Sequence, residues 1–198
     1  MSSLLGRLAD EVGVSERTLR RAVGGDLIRA RRLGSRGLLL SEDEADWVRG
    51  HWTLVAELRE ALRTEPNVGL AVLFGSVARG DETAGSSDVD LLVSLRRDSP
   101  GALEALRGRL GGGLAVEIQV VPLEAARRNV RLALEVARDG RPLVDRERAW
   151  SRLRADIKRR GAALGGRLEE ESRAQARAAV DYFRDLAGSR LRAPGAAA

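Results

Sequence analysis

Asp88 and Asp90 stand two residues apart in SDVDLLV, a stretch that otherwise reads as a buried strand. Strand side chains alternate, so both carboxylates share one face. Unpaired buried charge is costly. Two like charges this close also raise each other's pKa unless a cation intervenes. Hard oxygen ligands suit Mg2+ or Mn2+, and magnesium favours one or two carboxylates completed by substrate phosphates. Glu117 interrupts a second apolar strand, LAVEIQVV, and is the candidate third acid of a two-metal site, since strand pairing can bring it beside the aspartates.

A turn at Gly75-Ser76 ends the apolar run VGLAVLF just upstream. Gly75 lets a phosphate approach the backbone closely. If VARG opens a short helix, its free N–H groups and dipole favour an anion. The Ser76 hydroxyl adds a donor, and Arg79 a fixed positive charge able to reach phosphate. Either a Gly-Ser turn or an Asp-x-Asp pair alone would usually be structural. It is the strand–turn–strand combination with a later acid that points to chemistry.

The elements that must position these residues are legible. Residues 3–24 read as two short helices, the second capped by Ser15, and DLIRARRLGSRGLLL as two short strands around a glycine-rich turn. Ser41 and Glu44 form the S-x-x-E capping box of a helix that runs to about Arg63. After a break at TEPN come strand VGLAVLF, strand DVDLLVSL, a helix from about Ser99 to Gly111–Gly113, and strand LAVEIQVV. One helix then starts at Pro122 and runs to about Asp139. Gly140 and Pro142 stop it, and a last helical block begins near Arg146, with Trp150, Leu153 and Ile157 on one face. Domain boundaries are accordingly expected at 1–63, 64–145 and 146–198.

GSVARG followed by SDVDLLV resembles the G-S-x-x-x-G…[SD]-D-x-D signature of the polymerase-beta-like nucleotidyltransferases, and more narrowly their small stand-alone bacterial and archaeal domains. The resemblance spans roughly residues 66–145. It implies an α/β (α+β) nucleotidyltransferase fold with a small mixed sheet, binding a Mg–nucleoside triphosphate. It also implies that Gly75, Ser76, Arg79 and Ser87 meet the nucleotide, that Asp88 and Asp90 hold both metals, and that Glu117 is the third ligand and helps deprotonate the attacking hydroxyl. Family members usually carry Asp at that third position. A place in a toxin–antitoxin pair, with nucleotidylation of a partner protein or RNA, is a further implication.

The N-terminus suggests a different task. In LADEVGVSERTLRRAV, Ala9 allows close helix approach, Gly13 turns the chain, and Leu19 and Val23 face inward. Glu16, Arg17, Arg20 and Arg21 then face out. The hairpin that follows carries Arg31, Arg32 and Arg36. This order is similar to winged helix-turn-helix domains of the MerR or excisionase kind. It implies a second helix in the major groove and a wing on phosphates, so DNA is the expected partner of residues 1–40.

Composition bounds the rest. The chain has 198 residues, 43% hydrophobic and 32% charged, with aromatics at only 3%, so its core must be aliphatic. It has no cysteine, which excludes disulfides and thiolate metal sites, and a cytoplasmic location is the expectation. No signal peptide or run long enough to span a membrane is visible. Charge is uneven. Residues 1–36 carry eight arginines against four acids, residues 65–145 ten against twelve, and residues 146–198 thirteen Arg or Lys against seven. Basic ends around an acidic middle fit a nucleic-acid partner for the ends. The C-terminal helices carry no chemical motif and could support a homodimer.

The expected function is Mg-dependent transfer of a nucleoside monophosphate to a hydroxyl on protein or RNA, coupled to a DNA-binding domain. The alternative is a DNA-binding transcriptional regulator whose nucleotidyltransferase-like domain only binds nucleotide or a partner. An antibiotic-modifying enzyme fits the basic N-terminus less well. The single histidine, His51, is given no catalytic role.

Overall fold

The computed structural model describes residues 4–34, 37–82, 88–97, 101–113 and 117–161. Two compact units are present, Met1–Ile157 and Lys158–Ala198. Of the second unit only 158–161, which are helical, lie within the described residues, so the expected C-terminal extension beyond them falls outside.

The first unit opens with α1 (Leu4–Glu11) and α2 (Glu16–Gly24), joined through Gly13 at φ +72°. Ser15 caps α2, its Oγ accepting from Thr18 N at 3.1 Å. The hairpin β1 (Arg31–Leu33) and β2 (Gly37–Leu39) follows, then the long helix α3 (Glu42–Arg63). Only half of the expected capping box forms. Ser41 Oγ accepts from Glu44 N, but the Glu44 carboxylate turns inward.

Next come β3 (Val68–Phe74), α4 (Gly75–Arg79), β4 (Val89–Leu95), α5 (Ala102–Gly113), β5 (Ile118–Pro122), α6 (Leu123–Arg128), α7 (Val130–Asp139) and β6 (Arg141–Asp145). The strands form one mixed sheet in the order β5-β4-β3-β6. β3 runs antiparallel to both neighbours, pairing Leu73 with Leu91 on one side and with Arg141 on the other. β4 and β5 are parallel, with α5 as the crossover, as parallel pairing requires.

The seven residues of β3 are all buried, as expected of a strand covered on both faces. Ala71 and Leu73 face a core shared with Leu5, Leu19, Trp47, Val55 and Leu58, so α1–α3 pack in the same core as the sheet. Leu70, Val72, Phe74 and Leu92 face Leu123, Val136 and Trp150 on the other side. The expected packing role of Trp150 and Ile157 is thus observed, with both side chains buried.

Three expectations about these elements need correction. A strand, β6, stands where only a helix stop is expected: Pro142 sits on an edge strand, where its missing N–H leaves no inner ladder broken. Pro122 ends β5 instead of starting a helix. The single helix to Asp139 is two, because Asn129 adopts an extended conformation and its Oδ1 caps Leu132 N at 3.2 Å.

Candidate functional site

The register of the sheet builds the site. Phe74, the last residue of β3, lies opposite Asp90. The chain then turns through Gly75 at φ +76°, a conformation that glycine adopts without strain. A Cβ on Gly75 would lie within 2.3 Å of Asp90 Oδ2. The glycine is therefore what gives the carboxylate its room. No side chain caps the start of α4, and Ser76, its second residue, is half-buried.

Asp90 is half-buried in β4 on the face that carries Leu92 toward Val136. Burial raises its pKa, the Asp88 charge raises it further, and Glu135 adds to both, while Arg79 opposes them. Two half-buried carboxylates that repel each other form a donor set a divalent cation would relieve, and the pair matches the one or two carboxylates magnesium takes beside phosphates. Asp88 and Asp90 are the residues that could hold such an ion. Among the described residues, no group of three or more His, Asp or Glu side chains is placed to hold a metal.

Glu117 lies one residue before β5, exposed, and not inside the strand as expected. Its carbonyl accepts from Val89 N at 2.8 Å, and its carboxylate accepts from Gln119 Nε2 at 3.3 Å. Position 117 thus flanks β4 beside the aspartates along the backbone.

Arg79 is not held free for phosphate. Its Nε donates to Asp81 at 2.9 Å, and its Nη1 contacts Glu135 at 3.0 Å and Asp139 at 3.4 Å. These hydrogen bonds, Asp81 first, raise its pKa. Burial pushes Asp139 upward, but Arg138 and Arg79 outweigh it and hold the carboxyl below its ordinary value. Glu135 and Asp139 stand four apart on α7, one helical face, and that spacing was the available signal for them. Ser87 lies outside the described residues.

His51 Nε2 lies 2.6 Å from Glu82 Oε1, and its ring stacks on Trp47 with centroids 5.3 Å apart. It ties α3 to Glu82, shortly after α4. Away from this region, Arg17, Arg20, Arg21, Arg31 and Arg32 are exposed, with Arg20 paired to Glu16. Arg36 lies outside the described residues.

Residues 55–144 match the model of the nucleotidyltransferase domain family. This segment is similar to a nucleotidyltransferase domain. The matched segment runs from the second half of α3 to β6 and includes the Gly-Ser turn and both aspartates. No curated protein matches the sequence significantly. Among solved structures, the chain is similar to one of a toxin–antitoxin complex with AMP-PNP, at 20% identity and a TM-score of 0.47, covering 59% of this chain and 96% of that one. It is also similar to a chain of the MntA–HepT toxin–antitoxin, at 18% identity and TM-score 0.44, covering 60% and 97%. A third is from the complex of a tri-AMPylated Shewanella oneidensis HEPN toxin with MNT antitoxin, at 18% and 0.45, covering 61% and 97%. No helix among the described residues is long and apolar enough to cross a membrane.

Proposed function

We propose that this nucleotidyltransferase moves a nucleoside monophosphate from a nucleoside triphosphate to a hydroxyl on a protein or RNA, with Asp88 and Asp90 as its central carboxylates. The observation that carries the reading is the packing of Gly75 on the Asp90 carboxylate, which puts an uncapped turn beside the acids. Triphosphate oxygens would lie against Gly75 and Ser76, with Ser87 as a further contact. The acceptor oxygen attacks the α-phosphorus, the bond from that phosphorus to the bridging oxygen breaks, and pyrophosphate leaves with the electron pair. A Mg2+ or Mn2+ held by Asp88 and Asp90 would supply charge neutralisation on the phosphates. Glu117 is proposed as the acid that receives the hydroxyl proton.

Residues 1–40 are proposed to bind DNA, with Arg17, Arg20 and Arg21 on α2 and Arg31, Arg32 and Arg36 on the hairpin. The helix–turn–helix–hairpin order and the exposure of five of these arginines support this. A place in a toxin–antitoxin pair accords with the sequence resemblance.

The test is label transfer. Purified protein is mixed with each α-labelled nucleoside triphosphate, Mg2+ and cell lysate, beside Asp90→Asn. Label on a macromolecule with the wild type alone establishes the transfer and identifies base and acceptor. Nucleotide binding without label on any macromolecule favours the regulator reading.

A further inference from the structure

Helix α4 has five residues, too few to hold its own place. Its position is set from outside. Trp47 Nε1 donates to Val77 O at 2.8 Å, and Arg141 Nε donates to Ala78 O at 2.7 Å. Two successive carbonyls at the end of the helix that begins with Gly75 are thus held by side chains of α3 and β6.

Those two side chains are themselves fixed. The guanidinium of Arg141 lies 3.5 Å from the centroid of the Trp47 ring. Arg141 is 1% exposed and Glu44 6%. The pair is two-pronged, with Nη1 to Oε1 at 2.5 Å and Nη2 to Oε2 at 3.0 Å. Nη1 also donates to Leu27 O at 3.0 Å, and Glu44 Oε1 accepts from Arg29 N at 2.7 Å. The segment after α2, the start of α3, the start of β6 and the end of α4 therefore meet at one guanidinium.

A buried ion pair adds little net stability over apolar residues of similar volume, but it fixes direction. Here the direction fixed is that of α4. Glu44 and Trp47 lie outside the 55–144 segment matched by the nucleotidyltransferase family. We propose that Trp47 and Arg141, clamped by Glu44, are positioning residues that seat α4 so that Gly75 and Ser76 meet the nucleotide beside Asp90. The N-terminal block is on this view part of the nucleotide site's support. The proposal rests on the nucleotide-binding reading above.

Trp47→Phe removes one N–H donor and keeps an aromatic ring, though a smaller one. Arg141→Lys keeps the charge and loses the fork. Three measurements are made on the full chain: affinity for Mg–ATP, Mg–GTP, Mg–CTP and Mg–UTP, amide exchange at Ser76–Gly80, and thermal melting. Val48→Ala, a buried truncation one residue from Trp47, is the control for general destabilisation. Trp47→Phe is expected to weaken the preferred Mg–nucleotide about fivefold to tenfold, the scale of one lost hydrogen bond, and to speed exchange at Val77–Gly80. Val48→Ala is expected to lower the melting temperature at least as much while leaving affinity in the folded protein within about twofold.

Wild-type affinity and exchange in folded Trp47→Phe overturn the proposal, as does an equal affinity loss in Val48→Ala. Should Arg141→Lys not fold, Trp47→Phe decides alone. If the wild type binds none of the four nucleotides, the nucleotidyl-transfer reading fails. Exchange at Ser76–Gly80 then still decides whether these contacts seat α4.

Discussion

The carboxylate of Asp90 occupies the space that a side chain on Gly75 would need, with Oδ2 only 2.3 Å from the Cβ position. Gly75→Ala must therefore displace the acid or the turn, and it also forces alanine to φ +76°, a strain of about 1–2 kcal/mol. Nucleotide binding is expected to fall at least about tenfold in a folded protein. Gly13→Ala is the comparison: its φ is +72° and its Cβ would meet nothing within 4 Å. Calorimetric titration of both variants is expected to show loss of stability in each but loss of binding concentrated in Gly75→Ala.

Asp90 gives a pH dependence with a definite sign. Its pKa in the fold is raised above the ordinary 3.8 by burial, then by Asp88 and Glu135. A carboxyl with a raised pKa disfavours the folded state once it ionises. The penalty is absent below 3.8 and complete above the raised value. Asp90→Asn is therefore expected to be the more stable protein at neutral pH without metal, its advantage disappearing as pH falls through that window. Urea midpoints across pH check this. Added Mg2+ is expected to stabilise the wild type and leave Asp90→Asn nearly unmoved.

Glu117 and Glu135 can be told apart by kinetics. If Glu117 takes the acceptor's proton, Glu117→Gln lowers kcat by about 10²–10⁴ with nucleotide affinity kept. Glu135→Gln frees Arg79 from one partner and removes a charge that raises Asp90's pKa. It is expected to shift the acidic limb of the rate profile to lower pH and leave the plateau within a few-fold.

The arginine face of the N-terminal block predicts a salt signature. Binding to a random-sequence duplex should weaken as salt rises. Arg31→Ala with Arg32→Ala should lower the slope of log K against log salt by about two, one contact each. A slope unchanged by both substitutions would remove the hairpin from the DNA interface.

Gly140 is a stability prediction apart from the chemistry. A Cβ there would meet Val136 O at 2.3 Å, Trp150 Cη2 at 2.6 Å and Val72 Cγ1 at 2.9 Å. Backbone and a packed indole cannot both yield. Gly140→Ala is expected to cost about 1–3 kcal/mol, the usual range for overpacking, measured as a shift of the urea midpoint at unchanged slope.

Much of this was legible in the chain because local rules governed it. Ser15 and Ser41 cap the helices they precede, and DVDLLVSL forms a strand, β4, that starts at Val89 and carries Asp90. What escaped depends on distant partners. Arg141 opens a strand beside a glycine and a proline, a pattern that reads as exposed loop. Only pairing with β3, some seventy residues earlier in the chain, makes RPLVD a strand and buries the guanidinium. Glu44 read as a capping residue for the same reason: its carboxylate prefers a full opposite charge to the helix N–H it could have reached. Glu117 reads as part of a strand that in fact starts one residue later, because an acid in an apolar run carries no mark of where pairing begins.

The ion pair between Glu44 and Arg141 closes over 97 positions of sequence, and this gives the enzyme an order of manufacture. A ribosome releases α1–α4 and both aspartates well before Arg141 appears. Until then Glu44 lacks its two-pronged partner, Ala78 O lacks its guanidinium donor, and β3 lacks β6 along one edge. Purified chains ending at residue 140 and at residue 161 should therefore differ in their retention of Mg–nucleotide. A growing chain carries both aspartates before the strand whose Arg141 holds the end of α4.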